Sequence, residues 1–251
     1  MTVNKDTIGI AILSTDRPHC LYRLLKSIEG HSDANGLNVF VVDDSENKNP
    51  SRDLCTKYPW AKFEPSVTSR IGIAANTNRA IKLLEPYEYC MILNNDVEIK
   101  RVGWEYYYFL GMQQTGIHHF CFQQEGLWGA GTKKRPHVDQ EVYNRRVRTI
   151  FDYPQGAILT YNKKVLEVVG YFDEENFRGY GRSHWDWSFR ISESGIQPEG
   201  IHDLIGSNEY FQVHNEESVT PYNRRFEDYK RNTDILKKLR EDKNRIYIGY
   251  V

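Results

Sequence analysis

The sequence predicts an α/β protein in which a mostly parallel sheet is flanked by helices. In the first 100 residues, short apolar runs alternate with segments whose apolar residues recur at helical spacing. Runs that are apolar on both faces are typical of parallel strands covered by helices on both sides. A polar cluster follows each run, and ligands of open α/β sheets bind at the carboxyl ends of the strands. The sequence therefore predicts both the sheet and the edge at which a ligand would bind.

The first half of the chain accounts for most of the predicted elements. Strands are expected over 7–13, 39–42 and 90–93, each ending in Ser, Thr, Asn or Asp residues. Leucine and isoleucine residues at helical spacing over 21–28 predict one helix, and 74–84 predicts another.

The second half is less regular. Residues 126–137 contain glycine, proline and three consecutive cations, so they predict a loop. A short helix is expected over 165–169, and 224–243 predicts an amphipathic helix lying on the body of the protein. We interpret the chain as one domain, with a first half at 1–100, a second half at 101–215 and a C-terminal helical extension at 216–251.

Composition excludes several classes of protein. Thirty-three Lys and Arg residues against thirty-four Asp and Glu give a formal charge of −1, which argues against a basic protein that coats nucleic acid. No window of eighteen apolar residues occurs, so no transmembrane segment is predicted. The N-terminus lacks a cleavage signature, and the four widely spaced cysteines form no metal-knuckle pattern. A cytoplasmic location is therefore expected.

Three polar features at the predicted strand ends could carry chemistry. Asn94-Asn95-Asp96 could hold a hard divalent cation whose other ligands come from a diphosphate, or could simply be a turn. Asp43-Asp44 could bind a ribose or base edge, or could cap the next helix. Arg70, near a predicted helix start, suits a pyrophosphate or base contact, or is a solvated surface charge. None of the three features decides the function separately.

Taken together, the motifs resemble those of family 2 glycosyltransferases with the GT-A fold. The resemblance covers roughly residues 7 to 215, and its motifs occur in the family's order. They are VVDDSE, GIAANTNRAI, ILNNDVEI, the Gln155-Gly156-Ala157 element, GYFDE and GYGRSHWDWSFRISESG. The resemblance implies a Rossmann-like, mostly parallel sheet with a mixed acceptor-side half, so that 1–100 is expected to be the nucleotide-binding half and 101–215 the acceptor half. It also implies metal-dependent, inverting transfer of a sugar from a nucleotide-diphosphate sugar, with a UDP-sugar as the expected donor, to an acceptor hydroxyl.

The resemblance assigns roles on the donor side residue by residue. Asn94-Asn95-Asp96 matches the DXD motif, so Asp96 is the expected ligand of Mn²⁺ or Mg²⁺ and Asn95 is grouped with the donor-binding residues. The residues expected to contact the nucleoside are Thr15, Asp44, Arg70 and Asn78. His214 lies where several such enzymes place a further metal ligand, although a lone histidine is more often packed or on the surface.

The sequence departs from the family at its catalytic motif. Ser183-His184 stands where the family has an acidic pair, and Asp186 follows. We assign Asp186 as the general base, with His184 as the rival base or as a metal ligand. Asp186 could instead form an ion pair with Arg190, four residues on along a helix. The neighbouring Trp185 and Trp187 could stack on a sugar or could be packed in the core.

Two basic clusters leave the acceptor open. They lie at 133–148 and 224–240, and each is either a solvated face or a surface for an anionic acceptor, including DNA with a hydroxymethylated base. Carbohydrate, lipid-linked, protein and modified nucleic-acid acceptors all remain open. The competing hypothesis is a non-catalytic sugar-nucleotide or carbohydrate-binding module. A nucleotidyltransferase ranks last because STDRPHC is not a glycine-rich, lysine-bearing loop.

Overall fold

The computed structural model describes residues 3–124, 137–151, 154–215, 222–242 and 245–250. The strands in these ranges are β1 (Ile8–Ser14), β2 (Asn38–Asp43), β3 (Ala61–Pro65), β4 (Tyr89–Asn94), β5 (Val97–Ile99), β6 (His119–Cys121), β7 (His137–Val142), β8 (Arg145–Ile150), β9 (Ile158–Asn162), β10 (Ile201–Leu204) and β11 (Phe211–Val213). The α-helices are α1 (Pro18–His31), α2 (Asn49–Lys57), α3 (Ile73–Leu84), α4 (Trp104–Thr115), α5 (Lys163–Val168), α6 (Ser183–Glu193) and α7 (Tyr222–Leu239).

Nine of the described strands form one large sheet in the order β3-β2-β1-β4-β9-β6-β10-β8-β7. Strands β3, β2, β1 and β4 are parallel, whereas β9 runs antiparallel to both β4 and β6. The predicted α/β class with a mostly parallel sheet and a mixed second half is confirmed. The described strands β5 and β11 form a separate antiparallel pair.

The sheet is buried on both faces because alternate residues of its strands point to opposite sides. Ile8, Ile10 and Ile12 of β1 pack in one apolar cluster with α1 and α4, while Ala11 packs in a second cluster with α3 and α6. The three strands and the helices predicted over 21–28, 74–84 and 165–169 are present, with bounds that differ by a few residues. The helix predicted over 224–243 ends earlier, at Leu239.

Strand register brings the polar strand ends to one edge. Ser14 of β1 pairs with Asp43 of β2, and Leu13 pairs with Asn94 of β4. Because β9 is antiparallel to β4, its first residue, Ile158, pairs with Leu93. The start of β9 therefore meets the carboxyl ends of β1, β2 and β4 at the same edge.

Some sequence predictions fall where the structure gives less information. The loop predicted at 126–137 and the cations at 133–135 lie outside the described residues, except that His137 begins β7. In the ranges that are described, no helix is both long enough and apolar enough to cross a membrane. The division into one domain with two halves and an extension stays a prediction.

Candidate active site

A cleft of about 640 Å³ opens at the carboxyl edge of β1, β2 and β4. Thr15, Asp44 and Asp96 line it from that edge, as the sequence predicts. The opposite wall comes from the Gly156 segment before β9, from residues 179–182 and the first turn of α6, and from α7. Segments from the first hundred residues thus face segments from the second half of the chain across the cleft.

The turn after β4 is fixed by its backbone. The Asn94 N–H donates to the Ala157 carbonyl at 2.8 Å, and the Asn95 N–H donates to the Leu13 carbonyl at 3.1 Å. Asn95 is fully buried, and its Oδ1 accepts a hydrogen bond from Arg17 Nη2 at 2.7 Å. This places Asn95 behind the cleft, where it positions the turn and Arg17, while Asn94 and Asp96 line the cleft itself.

The two carboxylate oxygens of Asp96 have different surroundings. Its Oδ1 is buried and accepts no hydrogen bond from the described part of the chain, while Oδ2 lies 3.5 Å from Arg17 Nη1. Among the described residues, no three His, Cys, Asp or Glu side chains are grouped to hold a metal. Mg²⁺ sites often use one or two carboxylates together with substrate phosphates and water, so one available carboxylate oxygen fits such an ion.

His214 approaches Asp96 through its backbone only. The His214 N–H donates to the Asp96 carbonyl at 3.0 Å, but the imidazole Nε2 lies 2.6 Å from a carboxylate oxygen of Glu98. Its neighbours Val213 and Asn215 line the cleft, whereas His214 does not. The structure therefore directs the predicted metal-ligand side chain toward Glu98.

Asp44 organises the loop before α3 as well as lining the cleft. Its carboxylate accepts the N–H groups of Ile71 at 2.9 Å and Gly72 at 3.3 Å. Burial raises the pKa of Asp44 above its usual value, and these backbone donors act in the opposite direction. Gly72, the residue before α3, has φ of +100°, a conformation that glycine adopts without steric cost.

Arg70 and Asn78 have different positions. Arg70 lines the cleft at its rim, half-exposed, and forms ion pairs with Asp16 at 3.0 Å and Glu46 at 3.1 Å. Asn78 does not reach the cleft: its side chain is buried and exchanges two hydrogen bonds with the backbone of Phe172, at 2.8 and 2.9 Å. A nucleoside contact by Asn78 has no geometric support, because the amide joins α3 to the turn at residue 172.

Asp186 is held in an ion-pair network. Its Oδ2 accepts a hydrogen bond from Arg190 Nε at 2.9 Å, and its Oδ1 accepts one from Arg245 Nη1 at 2.5 Å. Arg245 also pairs with Asp173. Asp186 is 2% exposed and does not line the cleft. This placement argues against the base role expected from the sequence and supports the alternative of an ion pair with Arg190.

His184 lies in the cleft instead. Its Nε2 is 3.3 Å from the Pro154 carbonyl oxygen, and the Trp185 indole N–H donates to the same oxygen at 2.9 Å. A Cβ at position 156 would lie 2.7 Å from the imidazole, so only glycine allows this close approach. Trp187 is fully buried and donates to the Gly170 carbonyl at 3.0 Å, which supports the packed alternative for this residue.

The C-terminal helix supplies part of the cleft that sequence analysis missed. Asp228 and Tyr229 of α7 line it, and the Asn232 amide donates to the carbonyls of Tyr180 and Gly181, both at 3.0 Å, and of Arg178 at 3.2 Å. No sequence pattern predicts these contacts, because the sequence of α7 is that of an ordinary amphipathic helix. Arg17 was also missed, although it follows the carboxyl end of β1 and so lies at the predicted edge.

The fold is that of GT-A proteins. TarS of S. aureus is 16% identical, with a TM-score of 0.63 over 92% of this chain and 39% of that chain. The mannosyltransferase PcManGT from Pyrobaculum calidifontis, in complex with GDP-Man and Mn²⁺, is 15% identical, with a TM-score of 0.54 over 77% of this chain and 55% of that one. GalNAc-T7 with UDP, GalNAc and Mn²⁺ is 13% identical, with a TM-score of 0.60 over 79% of this chain and 42% of that one.

These likenesses establish the fold that the sequence predicted. The chain spans about two fifths to just over half of the length of these three proteins. No family model matches the sequence, and no curated protein matches it. Membership of family 2 stays a prediction.

Proposed function

We propose that this chain transfers a sugar from a nucleotide-diphosphate sugar to an acceptor hydroxyl with inversion, assisted by Mn²⁺ or Mg²⁺. The observation that carries the proposal is the cleft itself, in which Asp44 and Asp96 at the strand ends face His184 on the opposite wall. Structures with the same fold hold UDP, UDP-GlcNAc and GDP-Man, which supports a nucleotide-sugar donor. We take a UDP-sugar as the first donor to test.

Donor binding is proposed for Thr15, Asp44 and Arg70. Asn95 contributes indirectly, because it positions the turn after β4 and Arg17 from behind the cleft. The nucleoside is assigned to the carboxylate of Asp44 and the guanidinium of Arg70, which both line the cleft where Asp44 holds the loop before α3. Asn78 keeps only an indirect part, since it fixes α3 against Phe172.

The metal is assigned to Asp96. A divalent ion held there would neutralise the negative charge that develops on the departing diphosphate. The buried Asp96 Oδ1 is the protein ligand that fits it, and the imidazole of His214 is engaged by Glu98.

The general base is assigned to His184 in preference to Asp186. In an inverting transfer the acceptor oxygen forms a bond to the anomeric carbon as the bond to the diphosphate breaks on the opposite face. The hydroxyl proton passes to a nitrogen of His184 in its neutral form. His184 is exposed to the cleft, whereas the Asp186 oxygens are held by Arg190 and Arg245.

A non-catalytic sugar-nucleotide-binding module is the second candidate. The observation that favours it is Ser183-His184 in place of the acidic pair. Both candidates predict binding of a nucleotide sugar, and only the enzyme predicts turnover. The acceptor stays open among carbohydrate, lipid-linked, protein and modified nucleic-acid classes, and a cytoplasmic setting stays part of the proposal.

The test begins with a thermal-shift screen of UDP- and GDP-sugars with Mn²⁺ or Mg²⁺, because a bound ligand stabilises the fold by mass action. Hydrolysis or transfer of the stabilising donor is then measured for wild type, Asp96→Asn, His184→Ala and Asp53→Asn. Asp53 is exposed on α2 and provides the same change of charge away from the cleft. We expect turnover to fall about a hundred- to ten-thousand-fold in His184→Ala with donor binding kept. Binding without turnover in wild type would favour the module.

A further inference from the structure

Arg17 is a cation built into the predicted metal site. It is the residue before Pro18 at the start of α1, and its side chain is 17% exposed at the wall of the cleft. Its two terminal nitrogens reach the turn after β4, at 2.7 Å from Asn95 Oδ1 and 3.5 Å from Asp96 Oδ2. One guanidinium thus contacts both the residue that shapes this turn and the carboxylate proposed to hold the metal.

The other carboxylates of the cleft are already engaged. Asp44 accepts two backbone N–H groups, and Asp228 accepts the Tyr180 N–H at 3.1 Å and pairs with Arg231 at 3.0 Å. Asp96 is the one whose Oδ1 receives no hydrogen bond from the described residues. A divalent ion and Arg17 must therefore share Asp96.

Two cations sharing one carboxylate oppose each other. In a site that is partly shielded from water, like charges about 4 Å apart repel by an amount that matters for binding. A diphosphate, with its several negative charges, relieves this repulsion because it binds the metal and accepts charge-assisted hydrogen bonds from the guanidinium. Binding of the metal and binding of the diphosphate then favour each other by the same factor.

We propose that Arg17 is a second cation of the donor site, which binds the diphosphate and disfavours a divalent ion on Asp96 until the diphosphate is present. This proposal rests on the proposed function for the identity of the donor. The contact with Asp96 is independent of any transfer reaction, so it can be tested without turnover.

The experiment measures three dissociation constants, for Mn²⁺ alone by electron paramagnetic resonance, for UDP or GDP in EDTA, and for Mn²⁺ with saturating nucleotide. In Arg17→Ala we expect Mn²⁺ alone to bind about tenfold tighter and the nucleotide in EDTA to bind about tenfold weaker. Arg17→Gln keeps much of the side-chain stem and should give the same constants as Arg17→Ala. Arg17→Lys keeps the positive charge and should bind Mn²⁺ as weakly as wild type. Arg52→Ala removes one exposed charge on α2 and should change none of the constants.

Several outcomes would overturn the proposal. If Arg17→Ala and Arg17→Lys weaken the binding of Mn²⁺ equally, Arg17 only positions the turn through Asn95. Constants within twofold of wild type in all Arg17 variants would exclude any coupling. If no protein variant binds Mn²⁺ and sugar transfer proceeds in EDTA, the shared site and the assignment of a metal to Asp96 both fail, while sugar transfer from a nucleotide donor stands. Coupled binding of Mn²⁺ and nucleotide in a protein without turnover would support the role of Arg17 and overturn the proposed transfer.

Discussion

The turn after β4 and the helix α6 each carry a buried carboxylate beside an arginine, yet the two carboxylates have different surroundings. Asp96 lines the cleft, and one of its oxygens is without a hydrogen bond from the described residues. Asp186 lies outside the cleft lining, and both of its oxygens are held by Arg190 and Arg245. A motif predicts that a carboxylate is present, but the packing decides whether it is available to a ligand or is used by the fold.

The largest expected difference is in stability. Asp186→Ala leaves the buried Arg190 without its carboxylate and leaves Arg245 with Asp173 alone, so we expect the free energy of unfolding to fall by about 3–5 kcal/mol. In Asp96→Ala the change should be within about 1 kcal/mol, while metal-dependent nucleotide binding is lost. Urea denaturation of both variants, with calorimetry for the nucleotide, makes the comparison. A stable Asp186→Ala protein that has lost only turnover would restore Asp186 as the base.

The free energy of unfolding should depend on pH through His119, which contacts α6 at Ser188. His119 Nδ1 donates to the Thr160 carbonyl at 2.8 Å, and the Ser188 hydroxyl of α6 donates to Nε2 at 3.0 Å, so the ring is neutral in this assignment. Burial lowers the pKa of His119 to about 4, against a weaker opposite effect of the Thr160 carbonyl. Between pH 6.5 and 4 the unfolded chain binds a proton that the folded chain does not.

The stability supplied by the neutral His119 is therefore present above about pH 6.5 and falls as pH drops toward 4, by up to about 3 kcal/mol. Urea denaturation between pH 4.5 and 7.5 measures this slope. His119→Gln should flatten it, with the remainder due to other buried histidines such as His202, whose pKa is also lowered by burial. An unchanged slope in the variant would show that α6 is not held by a neutral imidazole.

A smaller effect is expected where α7 meets the cleft. Asn232→Ala removes the amide that donates to three carbonyls of the segment 178–181. We expect a loss of about 1–2 kcal/mol in unfolding free energy and a raised KM for the acceptor, with donor affinity unchanged. Steady-state kinetics with each substrate varied in turn is the measurement. A change in donor affinity of the same size would assign this segment to the donor side.

The smallest effect on stability is expected at the rim. Arg70 is 43% exposed, and exposed ion pairs such as those with Asp16 and Glu46 contribute about 0–1 kcal/mol. Arg70→Ala should therefore unfold close to wild type but bind the nucleotide about tenfold more weakly, with the saturated rate kept. Titration of the nucleotide and a saturated rate assay separate the two. A collapse of the saturated rate at unchanged affinity would move Arg70 to the chemistry.

Sequence patterns succeeded where structure depends on neighbouring residues. Strands β1, β2 and β4 were predicted because their residues are apolar and nearly all buried. Strands β3 and β7 were not, because β3 is half-exposed and most residues of β7 are exposed at the edge of the sheet, so neither forms an apolar run. Helix α4 is apolar around much of its circumference, and no stripe at helical spacing marks it.

The same limit applies to the site. Asp44 and Asp96 were selected because they follow the ends of β2 and β4 within two residues, and the parallel register brings these strand ends together. Asp186 was assigned as the base because the sequence does not show its partner Arg245, which lies 59 residues away and which only the packed chain brings to it. The contribution of α7 was missed for the same reason.

The separation of 59 residues between Asp186 and Arg245 also affects the order in which ion pairs can form during synthesis. Domains of a growing chain fold from the N-terminus, at the pace of synthesis. Strands β1, β2 and β4, whose carboxyl ends line the cleft, and the turn after β4 are complete by residue 96, whereas Asp173 and Asp186 can pair with Arg245 only when residue 245 has been added. On a ribosome, the ion pairs that Arg245 forms beside α6 are thus added after the strands on the other side of the cleft have been synthesised.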